Sequence, residues 1–201
     1  MNTLSVLQGE NARLQRENRE LKAQLRRLYG ALRAMDYLLD VLDDLTPDFD
    51  ALALLADVLD AALQAVDTDH GSLMLADEEQ SELVFVLVRG PFTQALTGHR
   101  ISMKEGIAGW VYQTGESALV PDVRYDPRWS DAIDQVTHFH TQSVLAVPLV
   151  AGKRKLGVLE AVKPKGAVPF GEDDASVLWL VARLGALVLE QADRLSSEEK
   201  T

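Results

Sequence analysis

From Leu4 onward, apolar residues recur at spacings of three and four, the period of a helix that winds around a partner. Leu4, Asn11, Asn18, Leu25, Leu32 and Leu39 take the a positions of this repeat, and Leu7, Leu14, Leu21, Leu28, Met35 and Leu42 the d positions. About six proline-free heptads predict a coiled-coil helix over residues 1–45, with Gly9 and Gly30 on outer f positions. The asparagines set the arrangement. In a parallel in-register dimer each Asn at a meets its twin and the two amides hydrogen-bond, whereas an antiparallel pair buries each amide against Leu. Glu17 at g and Lys22 at the next e add an attractive interchain pair. The pattern predicts a parallel homodimer.

After the coil, the pattern changes repeatedly. In "DLTPDFDALALLADVLDAALQAVD", Thr46 reads as an N-cap and Pro47 as the first helical residue, with Asp48 and Asp50 near the positive helix end. Leu52, Leu55, Leu59, Leu63 and Val66 form the expected inward stripe. Residues 71–77 and 83–89 alternate as strands around the acidic turn Asp77–Ser81. "EGIAGWVYQTGE" predicts a short helix that starts at Gly106, packs closely at Gly109 and ends at a left-handed Gly115. It lacks the Lys-Ser/Thr ending of a phosphate-binding loop. "SALVPDV" adds a brief strand, and residues 124–140 read as a loop with a helical turn from Asp131. Strands at 143–150 and 155–162 flank the turn "AGKRK", with Pro148 marking an edge or a bulge. A long C-terminal helix opens on three acids, and its wide apolar face implies contact with both a sheet and another helix. The order helix, helix, hairpin, irregular insertion, hairpin, helix predicts an α+β fold, an antiparallel sheet with helices packed on one face. The expected division is coil at 1–45, globular domain at 46–195 and polar tail at 196–201.

Charge and composition narrow the chemistry. Residues 1–35 carry seven Lys/Arg and three Glu, whereas the rest of the chain brings the total to a net −11. The acidic globular part repels nucleic acid and anionic membranes. Arg13, Arg16, Arg19, Arg26, Arg27 and Arg33 lie on b, c and f positions, where a solvated outer face is expected, and neither a nucleic acid nor a membrane is expected as a partner. With no cysteine, the chain has no disulfide, thiolate metal site or thiol nucleophile. No apolar run of membrane length or secretory leader is apparent, which makes the cytoplasm the expected location.

"GIAGWVYQTGESALVPDVRYDP", "SVLAVPLVAGKRKLGVLEAVK" and "FGEDDASVLWLVARLGALVLE" together resemble a GAF domain, the small-molecule sensing module of signalling proteins, over about residues 48–192. The resemblance implies a GAF/PAS-like sheet, a ligand pocket between the sheet and loop 117–142, and helices that transmit state between domains. Bilin-binding and methionine sulfoxide reductase relatives rely on Cys, which is absent here. Cyclic-nucleotide-binding relatives carry an Asn-Lys pair, a Phe and then Asp-Glu. This chain keeps Lys163, Phe170 and Asp174, with Val162 and Ala175 in place of the Asn and Glu. Other relatives bind haem through His, or amino acids and oxoacids, so the resemblance leaves the cofactor unknown.

Candidate ligand contacts are chosen by residue chemistry. Arg124, Tyr125, Arg128 and Trp129 form a cationic and aromatic cluster that could clamp an acidic or planar ligand, or serve as a lid packed on the core. His138 and His140 are further candidates, without the spacing of a zinc site, and Trp110 is a wall of either pocket or core. No nucleophile elbow, P-loop or kinase signature is present, and the acidic pairs sit at helix ends or polar faces. The expectation is a non-catalytic, metal-free dimeric sensor that takes a small ligand, a signalling-protein partner or both. The alternative is a degenerate domain that only dimerises and acts as a scaffold.

Overall fold

A computed structural model describes residues 3–43 and 50–198, with side chains for 6–41 and 50–191. Helices α1 (Thr3–Asp43) and α2 (Ala51–Ala65) lead into the hairpin β1 (Gly71–Asp77) and β2 (Glu82–Arg89). There follow α3 (Thr93–Leu96), β3 (Arg100–Ser102), α4 (Gly106–Thr114), β4 (Ala118–Val120), a 3-10 turn (Val123–Tyr125) and α5 (Ala132–Thr137). A second hairpin, β5 (Thr141–Ala151) and β6 (Arg154–Pro164), runs into α6 (Glu172–Glu198). The six strands form one antiparallel sheet in the order β3-β2-β1-β6-β5-β4.

Strand alternation divides the core. Leu73, Leu145, Val147, Leu149, Leu159 and Ala161 point to the face covered by α1, α2 and α6. The long helices thus gather on one face, as the sequence predicts. The opposite face carries Met74, Val144, Ala146 and Val158 and is covered by the short helices and connections. Each fully buried Leu or Val contributes roughly 2 kcal/mol of apolar burial. At Gly157 in β6 a Cβ would stand 1.9 Å from the Met74 carbonyl oxygen, so the β1–β6 approach requires glycine. Pro148 lies past the end of β4, whose pairing with β5 covers only Val144–Ala146, so β5 is locally an edge there. The register also shifts between Leu149 and Val150.

Two helix starts differ in outcome. Asp50 caps α2, accepting from the Leu52 and Ala53 N–H groups at 3.0 and 3.1 Å. Thr46, Pro47 and Asp48 lie outside the described residues. Starting at Ala51 turns Leu52 out to solvent and brings in Leu54 and Val58, which corrects the expected stripe. By contrast α4 begins at Gly106 and ends at Gly115, whose φ of +76° and N–H to the Val111 carbonyl make it the expected left-handed cap. Gly109 packs against the backbone of Met103 and Ser102, where an added Cβ would come within 2.9 Å.

On α1 the a/d seam does not dock on the domain. Leu7, Leu14, Leu21, Leu25, Leu28, Leu32 and Leu39 are 50–60 % exposed, while Ala31, Ala34 and Leu38 are buried against the domain. Gly30, on an f position, stands against Ala65, where a Cβ would be 3.1 Å from its Cα. Arg27 departs from the solvated-face expectation, since its Nε lies 2.7 Å from the buried Asp174 carboxylate of α6. The Leu4 and Leu42 side chains lie outside those described.

Candidate functional site

On the face opposite the long helices, the sheet and its short-helix cover leave a cavity of about 440 Å³. This is within the size range of small-molecule sites. Its floor is Ser72 and Met74 of β1 with Glu160 and Val162 of β6, which alternate onto this face of the sheet. The first turn of α4, whose N-cap Glu105 makes no side-chain capping bond, closes one side, and α5 lies over another. Phe85, Phe92, Trp129 and Phe139 supply aromatic lining. Phe92 and Phe139 meet edge to face at 5.0 Å, and His70 packs edge-on against Phe139 at 5.2 Å behind them.

The polar groups are unevenly satisfied. Asp134 of α5 accepts the Thr141 N–H at 2.8 Å and its hydroxyl at 2.6 Å, which fixes the carboxylate at the cavity wall. Arg100 of β3 is held by Asp77 at 2.8 Å and Glu82 at 3.0 Å. Glu160 is partly buried at the cavity floor, and this burial, with a smaller contribution from the Asp134 charge, pushes its carboxyl up to about 7.

The structure separates the residues singled out from sequence. Trp129 lines the cavity; Trp110, Arg124, Tyr125, Arg128, His138 and His140 are not among its lining residues. Arg124 and Arg128 are each turned back onto the aspartate two positions earlier, Asp122 and Asp126, with shortest contacts of 2.6 Å. Arg128 also lies 4.2 Å over the Trp110 ring, which joins the 3-10 turn region to α4. Tyr125 is exposed, and His138 is the left-handed residue that ends α5. His140 is exposed, and its carbonyl accepts from the Lys165 N–H. Glu160 and Asp134 are absent from the sequence reading, though β6 offers a signal. In "GVLEAVK" the one acid alternates with Val158 and Val162, which places it on the inward face.

The sequence model of the GAF domain matches residues 50–190, well over half of the chain. The chain belongs to the GAF domain family. Solved GAF structures agree with the fold. A GAF domain of a phosphoenolpyruvate-protein phosphotransferase from Coxiella burnetii matches with a TM-score of 0.69 at 18% identity, covering 84% of this chain and 98% of that one. A free methionine-R-sulfoxide reductase from Neisseria meningitidis, solved with its substrate, matches with a TM-score of 0.66 at 25% identity over 82% and 90% of the two chains. Among curated proteins, the bovine (Bos taurus) cone cGMP-specific 3',5'-cyclic phosphodiesterase subunit alpha' is 40% identical over 42% of this chain and 10% of its own length. The dual 3',5'-cyclic-AMP and -GMP phosphodiesterase 11A of Takifugu rubripes is 27% identical over 80% of this chain and 19% of its own. The chain thus spans between a tenth and a fifth of these phosphodiesterases.

Within this GAF domain, Lys163, Phe170 and Asp174 lie on the helix-covered side of the sheet, away from the cavity. Lys163 is buried with its Nζ 4.3 Å over the Phe170 ring, and burial pulls its ammonium below the ordinary range. Asp174 accepts the Gly171 N–H at 2.9 Å and pairs with Arg27 of α1. Ser143 ties the same corner together, donating to the Val120 carbonyl at 3.0 Å and accepting from the Phe170 N–H at 3.1 Å. Among the described residues no helix is long and apolar enough to cross a membrane, and no cluster of three metal-ligating side chains occurs.

Proposed function

We propose that the chain is a cytoplasmic, dimeric regulatory module that takes a small ligand into this cavity and passes its occupancy to the terminal helices. The observation that carries the reading is an aromatic-lined cavity with a carboxyl on its floor, standing over the same strand that reaches the α1–α6 junction. Glu160 and Val162 of β6 face the cavity, while Lys163, next in sequence, faces Phe170 and the Arg27–Asp174 pair. A ligand that prefers one position of β6 therefore prefers one seating of α1 on the domain. The exposed a/d seam of α1 supports a parallel homodimer, because a surface of leucines every third and fourth residue is stable in water when a second copy covers it. A signalling protein that reads this helical dimer is the expected partner, without catalysis by the domain itself.

The phosphodiesterase relatives make cyclic nucleotides sensible first ligands to assay. The departures at Val162 and Ala175 do not exclude them, since the retained part of that motif braces α1 and α6 and leaves the cavity open. A thermal-shift screen of the full chain with cyclic GMP, cyclic AMP, amino acids, oxoacids and haem tests the reading. At least one class is expected to stabilise the wild type and not Ala132→Trp, which places an indole at the cavity wall. Uniform silence with a closed cavity in a crystal structure leaves the scaffold reading in its place.

A further inference from the structure

The most informative group in the cavity is Glu160. Its carboxylate has no hydrogen-bond or ion-pair partner among the described residues, although it sits in the middle of the central strand β6 and lines the cavity floor. A carboxylate drawn partly out of water onto an apolar cavity floor without a partner is unfavourable, and native folds usually supply one. Nothing in the domain does so here.

The surrounding charges make the deficit larger. The titratable or charged lining groups are His99 and Arg100 from the β3 side, Glu105 at the start of α4, Asp134 on α5, and Glu160 itself. The lining segments of β1 and β5 contribute Gly71, Ser72, Met74 and Thr141, none of them charged. Arg100 is matched by Asp77 and Glu82 outside the floor, so its charge is already spent. Asp134 is held in place by Thr141, and its charge bears on Glu160. Of the three lining carboxyl groups, Asp134 and Glu160 thus bear on one another in an apolar, aromatic-lined space, and neither has a cation of its own.

We propose that the ligand supplies the missing cation: Glu160, with Asp134, receives a protonated amine, and Phe85, Phe92, Trp129 and Phe139 receive its apolar body. This deepens the ligand-binding reading and rests on it. An ammonium satisfies both requirements at once, with three N–H donors for carboxylate oxygens and a positive charge that aromatic faces attract. Neutral or anionic molecules of the same shape leave Glu160 uncompensated or add a further negative charge. The elevated ionisation range of Glu160 adds a pH signature, since the amine must find the carboxyl deprotonated.

The test is calorimetric titration of the full chain with 2-phenylethylamine, 2-phenylethanol, phenylacetate and cyclic GMP at pH 6 and pH 8. The amine is protonated at both. Expected are at least tenfold tighter binding of the amine than of the alcohol or the acid at pH 8, and about tenfold weaker amine binding at pH 6. Glu160→Gln is expected to abolish the amine preference and its pH dependence. Alcohol, acid or cyclic GMP binding as tightly as the amine overturns the cation assignment and leaves the ligand reading standing. Binding of none of the four overturns the cation assignment, while the ligand reading then stands or falls on the wider thermal-shift screen.

Discussion

Glu160 is a residue the fold holds at a cost, and the cost has a pH dependence that can be measured. In the unfolded chain its carboxyl ionises near 4.5, whereas in the fold it does so at about 7. Between those values the folded state keeps a proton that the unfolded state has lost, so stability falls as pH rises through this window. Above about pH 7 the full penalty is present, up to about 3 kcal/mol. Glu160→Gln is therefore expected to raise the melting temperature at pH 8 and to leave it nearly unchanged at pH 4. Equal effects at the two pH values would show that Glu160 ionises in its ordinary range. Gly157, three residues earlier, obeys a steric constraint instead. Gly157→Ala drives a methyl group into the Met74 carbonyl and is expected to lower stability by about 2–4 kcal/mol in urea unfolding, with little dependence on pH.

At the scale of elements, hydrophobic spacing made both hairpins, the short helix between Gly106 and Gly115 and the long terminal helices legible, because each has its own period and its own punctuation. The site was far less legible. Arg124, Tyr125, Arg128 and Trp129 are chemically suited to a ligand, but sequence distance does not say which way a loop folds, and two of these arginines satisfy themselves locally with Asp122 and Asp126. Asp134 joins the cavity only because α5 is laid over the sheet, a tertiary event with no local signature. Seating α1 also used a face that heptad logic assigns to solvent. Arg27→Ala leaves Asp174 buried without its cation and is expected to cost about 2 kcal/mol, read by urea unfolding at fixed protein concentration. The a/d seam predicts a separate result. In the cysteine-free chain, Leu21→Cys at a d position should cross-link to its own twin on mild oxidation, and Arg13→Cys, on the outer face, should not. A failure at Leu21 would contradict the parallel in-register pairing, since an antiparallel coil places a opposite d.

For the whole molecule, the two faces of the sheet divide the work. One holds the cavity, the other seats the helices, and β6 belongs to both, with Glu160 on one side and Lys163 on the other. The corner formed by Lys163, Phe170, Asp174 and Arg27 links that strand to α6 and α1 through a buried cation over an aromatic ring and an ion pair whose carboxylate is buried. Such a corner responds in steps, because breaking either contact strands a charge. The central claim is that cavity occupancy sets the arrangement of α1 in the dimer. Electron–electron double resonance between spin labels at Arg19→Cys of the two copies, with and without a saturating ligand from the thermal-shift screen, tests it most directly. The account predicts that the ligand shifts or narrows the interlabel distance distribution in the otherwise wild-type chain and has no effect in the Ala132→Trp background. Confirmed ligand binding with an unchanged distribution would contradict it.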